Sequence, residues 1–366
     1  MRKLASIREI KEIYPIIKAD AIEVAVVDGW ECIVKKSDGF KAGDKVIYIE
    51  IDSIMPEKPE FEFLRAKKFR IKTIKLRGQI SQGLVLPLSF LPDRKKPYEL
   101  GEDVTEILGV KKYDPQKDQE AFDTSYKNSN KKMSKIQKFL MRFNWYKKRQ
   151  LKKSPTAAFP DWIQKTDEER IQNLPRLYET WKKSGILFQG TEKLEGQSGT
   201  YFEIKANRKN KFGVCSRNVY LKMANNSSYW NIANNKNIKM LLTDLMKSYK
   251  ATNIVLQGEI IGPNIQKNIY KLEEYDFYAF NLIIDGEKLS TNEIEDILSQ
   301  YGINTVPVIY DYQPLPEKMQ DLIELSKGKS VLNPEQDREG IVWRSKDGRI
   351  SFKAINPDYL LSDIEK

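Results

Sequence analysis

The chain of 366 residues contains no histidine, only two cysteines and no apolar run long enough to span a bilayer. Without histidine there is no Ser–His or Cys–His pair to activate a nucleophile. Any covalent chemistry must come from lysine, carboxylates, tyrosine, backbone amides or a bound metal. Cys32 and Cys215 lie far apart, and neither has a Cys or His neighbour at metal-ligand spacing. Neither a disulfide framework nor a zinc site is indicated. The opening stretch MRKLASIREIKEIYP is broken by charges every few residues and lacks the apolar centre of a secretory signal. The expected location is intracellular, with no membrane partner.

Acidic residues are missing from one long stretch. Between Asp123 and Asp161 the chain carries Lys127, Lys131, Lys132, Lys135, Lys138, Arg142, Lys147, Lys148, Arg149, Lys152 and Lys153, with Phe139, Phe143, Trp145 and Tyr146 among them. Such a run is either a solvated linker or a basic, partly helical strap that touches phosphates while its aromatics dock or stack. A formal charge of +11 suits a polyanionic partner such as nucleic acid, although codon bias alone also produces a Lys- and Asn-rich chain. With 40% hydrophobic and 31% charged residues the chain reads as globular, and its length predicts two domains plus a connector.

Residues 1–105 read as a small β-barrel of OB type. From Ala21 to Pro92, short Ile/Val-rich runs such as AIEVAVVDGWECIVKK, KVIYIEIDSIMP and FRIKTIKLRGQISQGLVLPL are punctuated by Gly, Asp and Pro at Greek-key spacing. Residues 106–157 form the basic connector. In residues 158–366, ILFQGTEKLEG, GTYFEIK, KFGVCSR, NIVLQGEIIG, DFYAFNLII, EGIVWRS and RISFKAI read as strands. The segments KTDEERIQNLPRLYETWKKS, MANNSSYWNIANNKNIKMLLTDLMKSYKAT and LSTNEIEDILSQYG read as helices, the first opened by a capping signature at Thr166 and Glu169. The fold class is α+β, an OB-type barrel followed by a domain of antiparallel sheets with flanking helices.

Two lysines compete as nucleophile. In KKSDGF, Lys36, Asp38 and Gly39 fit a Lys-x-Asp-Gly pattern, but Lys36 ends a strand and SDGF predicts a hairpin turn. In TEKLEGQSGT, Lys193 is followed by Glu195 and Gly196, a weaker local match. Its company is better. GVCSRN (Ser216, Arg217), LQGEIIG (Glu259), YDFYAFNL (Phe277, Tyr278, Phe280), EGIVWR (Glu339) and SFKAIN (Lys353) follow in order, most of them a polar or aromatic element in an otherwise apolar strand. Several such interruptions aimed into one cleft are what a nucleotide site needs.

This ordered series, over roughly residues 158 to 360, resembles the motifs of the covalent nucleotidyltransferases, which include DNA ligases, RNA ligases and capping enzymes. The segments LRGQISQGLVLP, FPDWIQKTDEERIQN and SFKAINPDYL further resemble the ATP-dependent RNA ligases with an N-terminal OB domain, the Naegleria and Deinococcus type. Only 13 residues follow Lys353, so the accessory domain is expected at the N-terminus. Two positions depart from the superfamily pattern: Glu195 stands where Asp is usual, and Ser351 stands where many relatives carry a second lysine.

The resemblance implies ATP and a divalent cation, Mg²⁺ or Mn²⁺, as cofactors. Lys193 would take AMP, pass it to an RNA 5′-phosphate, and a 3′-hydroxyl would then displace it. Only a neutral amine attacks, and an ordinary lysine is about 0.04% neutral at pH 7, a deficit of roughly 4.6 kcal/mol. Lys353 and the metal would reduce that deficit and stabilise the α-phosphate; by itself Lys353 reads as a salt-bridged sheet residue. The resemblance makes Glu195, Glu259 and Glu339 the acids around the metal, directly or through water, with Glu259 alternatively on the ribose. It places Glu192 on the adenine amino group and Arg217 on phosphate or ribose, and keeps Glu339 and Lys353 among the nucleotide contacts. Strand alternation puts Tyr278 and Phe280 on one face and Phe277 on the other, so either one face stacks on adenine, with Phe280 favoured, or all three pack into the core. The implied partner is RNA with 5′-phosphate and 3′-hydroxyl ends, as a nicked duplex in repair, acted on by a monomer. The alternatives are a catalytically decayed RNA-binding protein, for which Glu195 and Ser351 argue, and a GTP-using capping enzyme.

Overall fold

The computed structural model describes residues 3–92, 97–113, 156–206, 209–222 and 227–362. The basic strap expected between Asp123 and Asp161 lies, up to residue 155, outside the described residues.

The first barrel is built on one long strand. Ala5–Pro15 pairs along its first half with Lys45–Ile49 and along its second half with Ile22–Val27, and a register shift between Ile10 and Glu12 turns the strand from one sheet into the other. An extra residue of this kind bends a strand sharply, which a small barrel requires. The five-stranded order is Trp30–Lys35, Ile22–Val27, Ala5–Pro15, Lys45–Ile49, Leu84–Pro87. Inward residues at every second position, among them Ile7, Ile47, Ile49, Val27, Trp30 and Cys32, form its core. Val104, Leu108 and Val110 join that core, and Lys111–Lys112 pairs with Ser53–Ile54, so the chain stays packed on the barrel beyond residue 105.

Lys36 is in a turn, as expected, but the turn does not make a hairpin. Lys36–Asp38 is one turn of 3₁₀ helix closed by Gly39 at φ 68°, and the next strand crosses over to pair with Ala5–Pro15. Barrel closure decides the pairing here, and the turn residues do not.

The second domain stacks two antiparallel sheets. The larger runs Thr156–Ala158, Val219–Leu221, Lys209–Cys215, Gln197–Ala206, Asn253–Ile261, Asp276–Ile284, Glu287–Lys288, with Asn304–Thr305 added parallel to Asp276–Ile284. The smaller runs Val308–Pro314, Leu187–Lys193, Gly340–Ser345, Ser351–Ile355. Helices Ser228–Asn235, Ile238–Ser248 and Thr291–Ser299 cover the larger sheet with Ile232, Leu241, Leu242, Ile294 and Leu298. The expected single helix from Met223 onward is therefore two, broken where Asn237 takes a left-handed conformation at φ 51°. Ser290 and Glu293 form the capping box that opens Thr291–Ser299.

The helix expected from Lys165 starts only at Pro175. A residue before proline is driven away from helical backbone, and Leu174 lies at φ −121°. Upstream, Ile171–Asn173 make only one turn of 3₁₀ helix, and before it the chain is not helical: the Lys353 N–H donates to the Glu169 carbonyl at 2.8 Å, and the Thr166 hydroxyl donates to Ser198 at 3.0 Å rather than capping a helix. The two domains meet along this segment. The Trp30 indole donates to Asn173 at 2.8 Å, Arg170 pairs with Asp52 at 3.4 Å, and Leu360 packs against the barrel core. Among the described residues no helix is long and apolar enough to cross a membrane.

Candidate active site

Lys193 is the last residue of Leu187–Lys193, opposite Gly340 in the ladder with Gly340–Ser345. That register sets Glu339, the residue before the partner strand, beside the lysine, and the ammonium pairs with its carboxylate at 2.6 Å. The chain then turns through Leu194, Glu195 and Gly196 into the larger sheet. A side chain at Gly196 would put Cβ 2.4 Å from the Ile260 carbonyl oxygen and 2.7 Å from Cγ of Glu259. Only glycine permits this approach, and it brings Glu259, paired opposite Ser198, to the lysine.

Burial pushes the Glu259 carboxyl up to about 7, opposed by the positive charge of Lys193, raised further by Glu339, and lowered by the Ser198 hydroxyl and Arg217. The Ser198 hydroxyl donates to it at 3.2 Å. Glu192 is 1% exposed. Its Oε2 accepts the Val331 N–H at 2.8 Å, its Oε1 has no hydrogen-bond partner, and burial raises its pKa. A buried carboxylate on a residue that lines the cavity, with one oxygen unpaired, is suited to an amino donor on a ligand.

Phe280 sits at a β-bulge. Gln257 pairs with Asn281 and Gly258 with Ala279, leaving Phe280 as the extra residue. It lines the cavity, whereas Phe277 is fully buried edge-to-face against Tyr201. The Arg344 guanidinium lies 5.6 Å from the Phe280 ring centre, bonds to the Thr191 hydroxyl at 3.0 Å and pairs with Glu168 at 3.5 Å. Arg217 pairs with Asp167, and Lys353 lines the same cavity. The barrel closes one side with Asp52, Arg70, Lys112 and Tyr113, around a space of about 340 Å³.

A family model for an OB-fold domain matches residues 4–88, and one for RNA ligase matches residues 186–355. The solved structure of Naegleria gruberi RNA ligase, as an apo variant, is 34% identical and superposes with a TM-score of 0.79 over 100% of this chain and 99% of that one. The same enzyme with pyrophosphate is 34% identical at 0.79, covering 100% of both chains. A variant of it with ATP and manganese is 34% identical at 0.78, covering 98% of both. The chain belongs to the RNA ligase family. No curated protein sequence matches it.

In this RNA ligase the sequence-derived residues Lys193, Glu192, Glu195, Arg217, Glu259, Phe280, Glu339 and Lys353 all line one cavity, and Lys36 is not among its lining residues. Glu195 differs from the other acids. Its Oε1 accepts the Lys267 N–H at 3.0 Å, its Oε2 accepts the Tyr359 hydroxyl at 2.6 Å, and it is 6% exposed. Both oxygens are taken by the protein itself. Among the described residues no three His, Cys, Asp or Glu side chains form a ready-made metal cage. Glu259 and Glu339, flanking Lys193, are a donor pair that fits a hard cation completed by water and phosphate oxygens. Sequence reasoning missed Asp52, Arg70, Tyr113, Glu168, Thr191 and Arg344, which come from strands and loops with no local signal. Ser351, the other departure, donates to Glu168 at 2.5 Å and so joins the Arg344 network.

Proposed function

We propose that the ligase is ATP-dependent, works through a lysyl-AMP intermediate on Lys193, and seals 5′-phosphate to 3′-hydroxyl ends at nicks in duplex RNA, as a monomer. The observation that carries this reading is the Lys193–Glu339 contact of 2.6 Å next to the Glu259 carboxyl. In the first step the Lys193 amine attacks the α-phosphorus, a P–N bond forms, and the bridging P–O bond breaks with its electron pair on pyrophosphate. Glu339 is placed to take the proton that Lys193 must lose. In the second step an oxygen of the RNA 5′-phosphate displaces the lysine, which regains a proton. In the third the RNA 3′-hydroxyl attacks the 5′-phosphate and AMP leaves.

Glu192 offers its open Oε1 to the adenine amino group, Phe280 offers a ring face, and Arg217 and Lys353 face the phosphates. Arg70 and Lys112 from the barrel reach the same cavity and suit the pyrophosphate. A Mg²⁺ or Mn²⁺ ion held by Glu259 and Glu339 would favour the neutral amine and spread the charge on the α-phosphate. Glu195 stays on Tyr359 and Lys267, where it fixes the turn that follows the nucleophile.

The test is incubation with α-labelled ATP or GTP and divalent metal, without RNA, followed by acid and gel separation. An acid-stable label from ATP, lost in Lys193→Ala and kept in Lys36→Ala, is expected. No label overturns the proposal, and labelling from GTP points to capping chemistry. Sealing of nicked duplexes with RNA or DNA on the 3′-hydroxyl side then fixes the substrate.

A further inference from the structure

The cavity accounts for a nucleotide but not for where the rest of the RNA lies. From Phe63 to Pro92 the barrel sequence contains no acidic residue, while Arg65, Lys67, Lys68, Arg70, Lys72, Lys75 and Arg77 fall within its first half. Arg65 is engaged by Glu62 and Arg70 by Asp52. Among the described residues Lys67, Lys68, Lys72, Lys75 and Arg77 have no ion-pair partner, and all but Lys72 are exposed. Lys67 and Lys72 are close enough for like charge to help burial lower the Lys67 pKa. A folded protein gains nothing by gathering cations without acids. Such a cluster is stabilised when an anion lies across it.

The cluster is continuous with the catalytic cavity. Arg70 lines that cavity and is only two or three residues from Lys67, Lys68 and Lys72. Its segment is stapled to Asp52–Met55 by backbone bonds of 2.8 Å, and Ser53–Ile54 pairs on its other side with Lys111 and Lys112. Beyond the lysines, the hairpin of Ile74–Leu76 and Gln79–Ser81 carries Lys75 on its first strand and Arg77 in its turn. Two apolar side chains are exposed along the same segment, Phe63 at 60% and Leu76 at 43%. Cations interleaved with an exposed aromatic ring are the surface chemistry of nucleic-acid contact: the cations meet phosphates, and the ring meets a base or ribose.

We propose that the segment Phe63–Arg77 is the RNA-docking face of the barrel, where Lys67, Lys68, Lys72, Lys75 and Arg77 hold the phosphate backbone running away from the ends being joined. This rests on the proposed function, because it assigns the substrate strand a path out of that site. The face carries no nucleotide chemistry, so it acts in the steps that use RNA and not in the loading of Lys193.

The test uses the full chain. Lys67→Glu/Lys68→Glu/Lys72→Glu and Lys75→Glu/Arg77→Glu are compared with a charge-matched control on the second domain, Lys239→Glu/Lys247→Glu/Lys250→Glu, all exposed. Formation of labelled lysyl-AMP without RNA is expected unchanged in all three, which also certifies the fold. For sealing, KM for nicked RNA rises on the order of tenfold or more in the barrel variants but not in the control. The dependence of RNA affinity on salt flattens by about one power of salt concentration per lysine lost. Should a glutamate variant fail to fold, Lys→Gln versions remove charge more gently.

Unchanged KM and unchanged salt slope in both barrel variants overturn the proposal. Should the parent protein form no lysyl-AMP, the proposed function has failed instead. Direct binding of a fluorescent nicked RNA then still decides the docking face, because equal affinity of parent and barrel variants overturns it.

Discussion

The Tyr359 hydroxyl donates a 2.6 Å hydrogen bond to Glu195, and so ties the turn after the nucleophile to the helix Pro357–Ser362. The same helix presses Leu360 onto the barrel core, and the Tyr270 hydroxyl accepts the Glu195 N–H at 2.7 Å. The extra methylene of Glu relative to Asp serves reach. Glu195→Asp and Tyr359→Phe are each expected to cost about 1–3 kcal/mol, the cost of a lost bond to a buried charge. Thermal melts measure this. The metal concentration for half-maximal lysyl-AMP formation is expected to stay constant; a clear rise in Glu195→Asp would make Glu195 a metal ligand instead.

The proposed role of Glu339, paired with Lys193 at 2.6 Å, is to accept its proton. Glu339→Gln keeps the shape and removes the charge beside the Lys193 ammonium, so the rate of lysyl-AMP formation is expected to fall by about 10²-fold or more. Single-turnover labelling measures it. A rate within a factor of two of the parent would exclude a proton-accepting role.

The Glu259 carboxyl, pushed up to about 7 by burial, makes stability depend on pH. Its folded pKa is raised, so the folded state holds its proton where the unfolded chain has lost it. The contribution is therefore present below about 4.5 and is lost as pH rises to about 7. In metal-free protein, Glu259→Gln is expected to gain on the parent by roughly 1–2 kcal/mol between pH 5 and pH 8. Denaturant titrations at the two pH values check this, and a constant difference would show an ordinary carboxylate.

Gly196→Ala is expected to disable the protein from the backbone outward. Its Cβ would meet the Ile260 carbonyl and Glu259 Cγ well inside contact distance, and overpacking of that kind costs about 1–3 kcal/mol or more. A lowered melting temperature together with lost labelling is the expected pair of results. Labelling at parental rate would mean that the turn relaxes without moving Glu259.

The sequence by itself determined the fold class and limited which groups could do covalent chemistry. With no histidine the nucleophile had to be another group, and Lys193, Glu259, Phe280, Glu339 and Lys353 stood out because polar or aromatic residues interrupt apolar strands. Strand periodicity is local, so Leu187–Lys193, Asn253–Ile261, Asp276–Ile284 and Gly340–Ser345 were legible. Tertiary structure alone decided what depends on distant partners. The stretch before Pro175 is not α-helical, with the Glu169 carbonyl bonded to the Lys353 N–H, and Lys36–Asp38 leads into a crossover because the barrel must close. It also decided that Asp52, Arg70 and Arg344 line the same cavity as Lys193, and that Glu195, which reads like a metal-binding acid, has both oxygens occupied by Tyr359 and Lys267. A residue's type is written in the chain, but its partners are set by packing between segments distant in sequence, as Lys267 and Tyr359 are from Glu195.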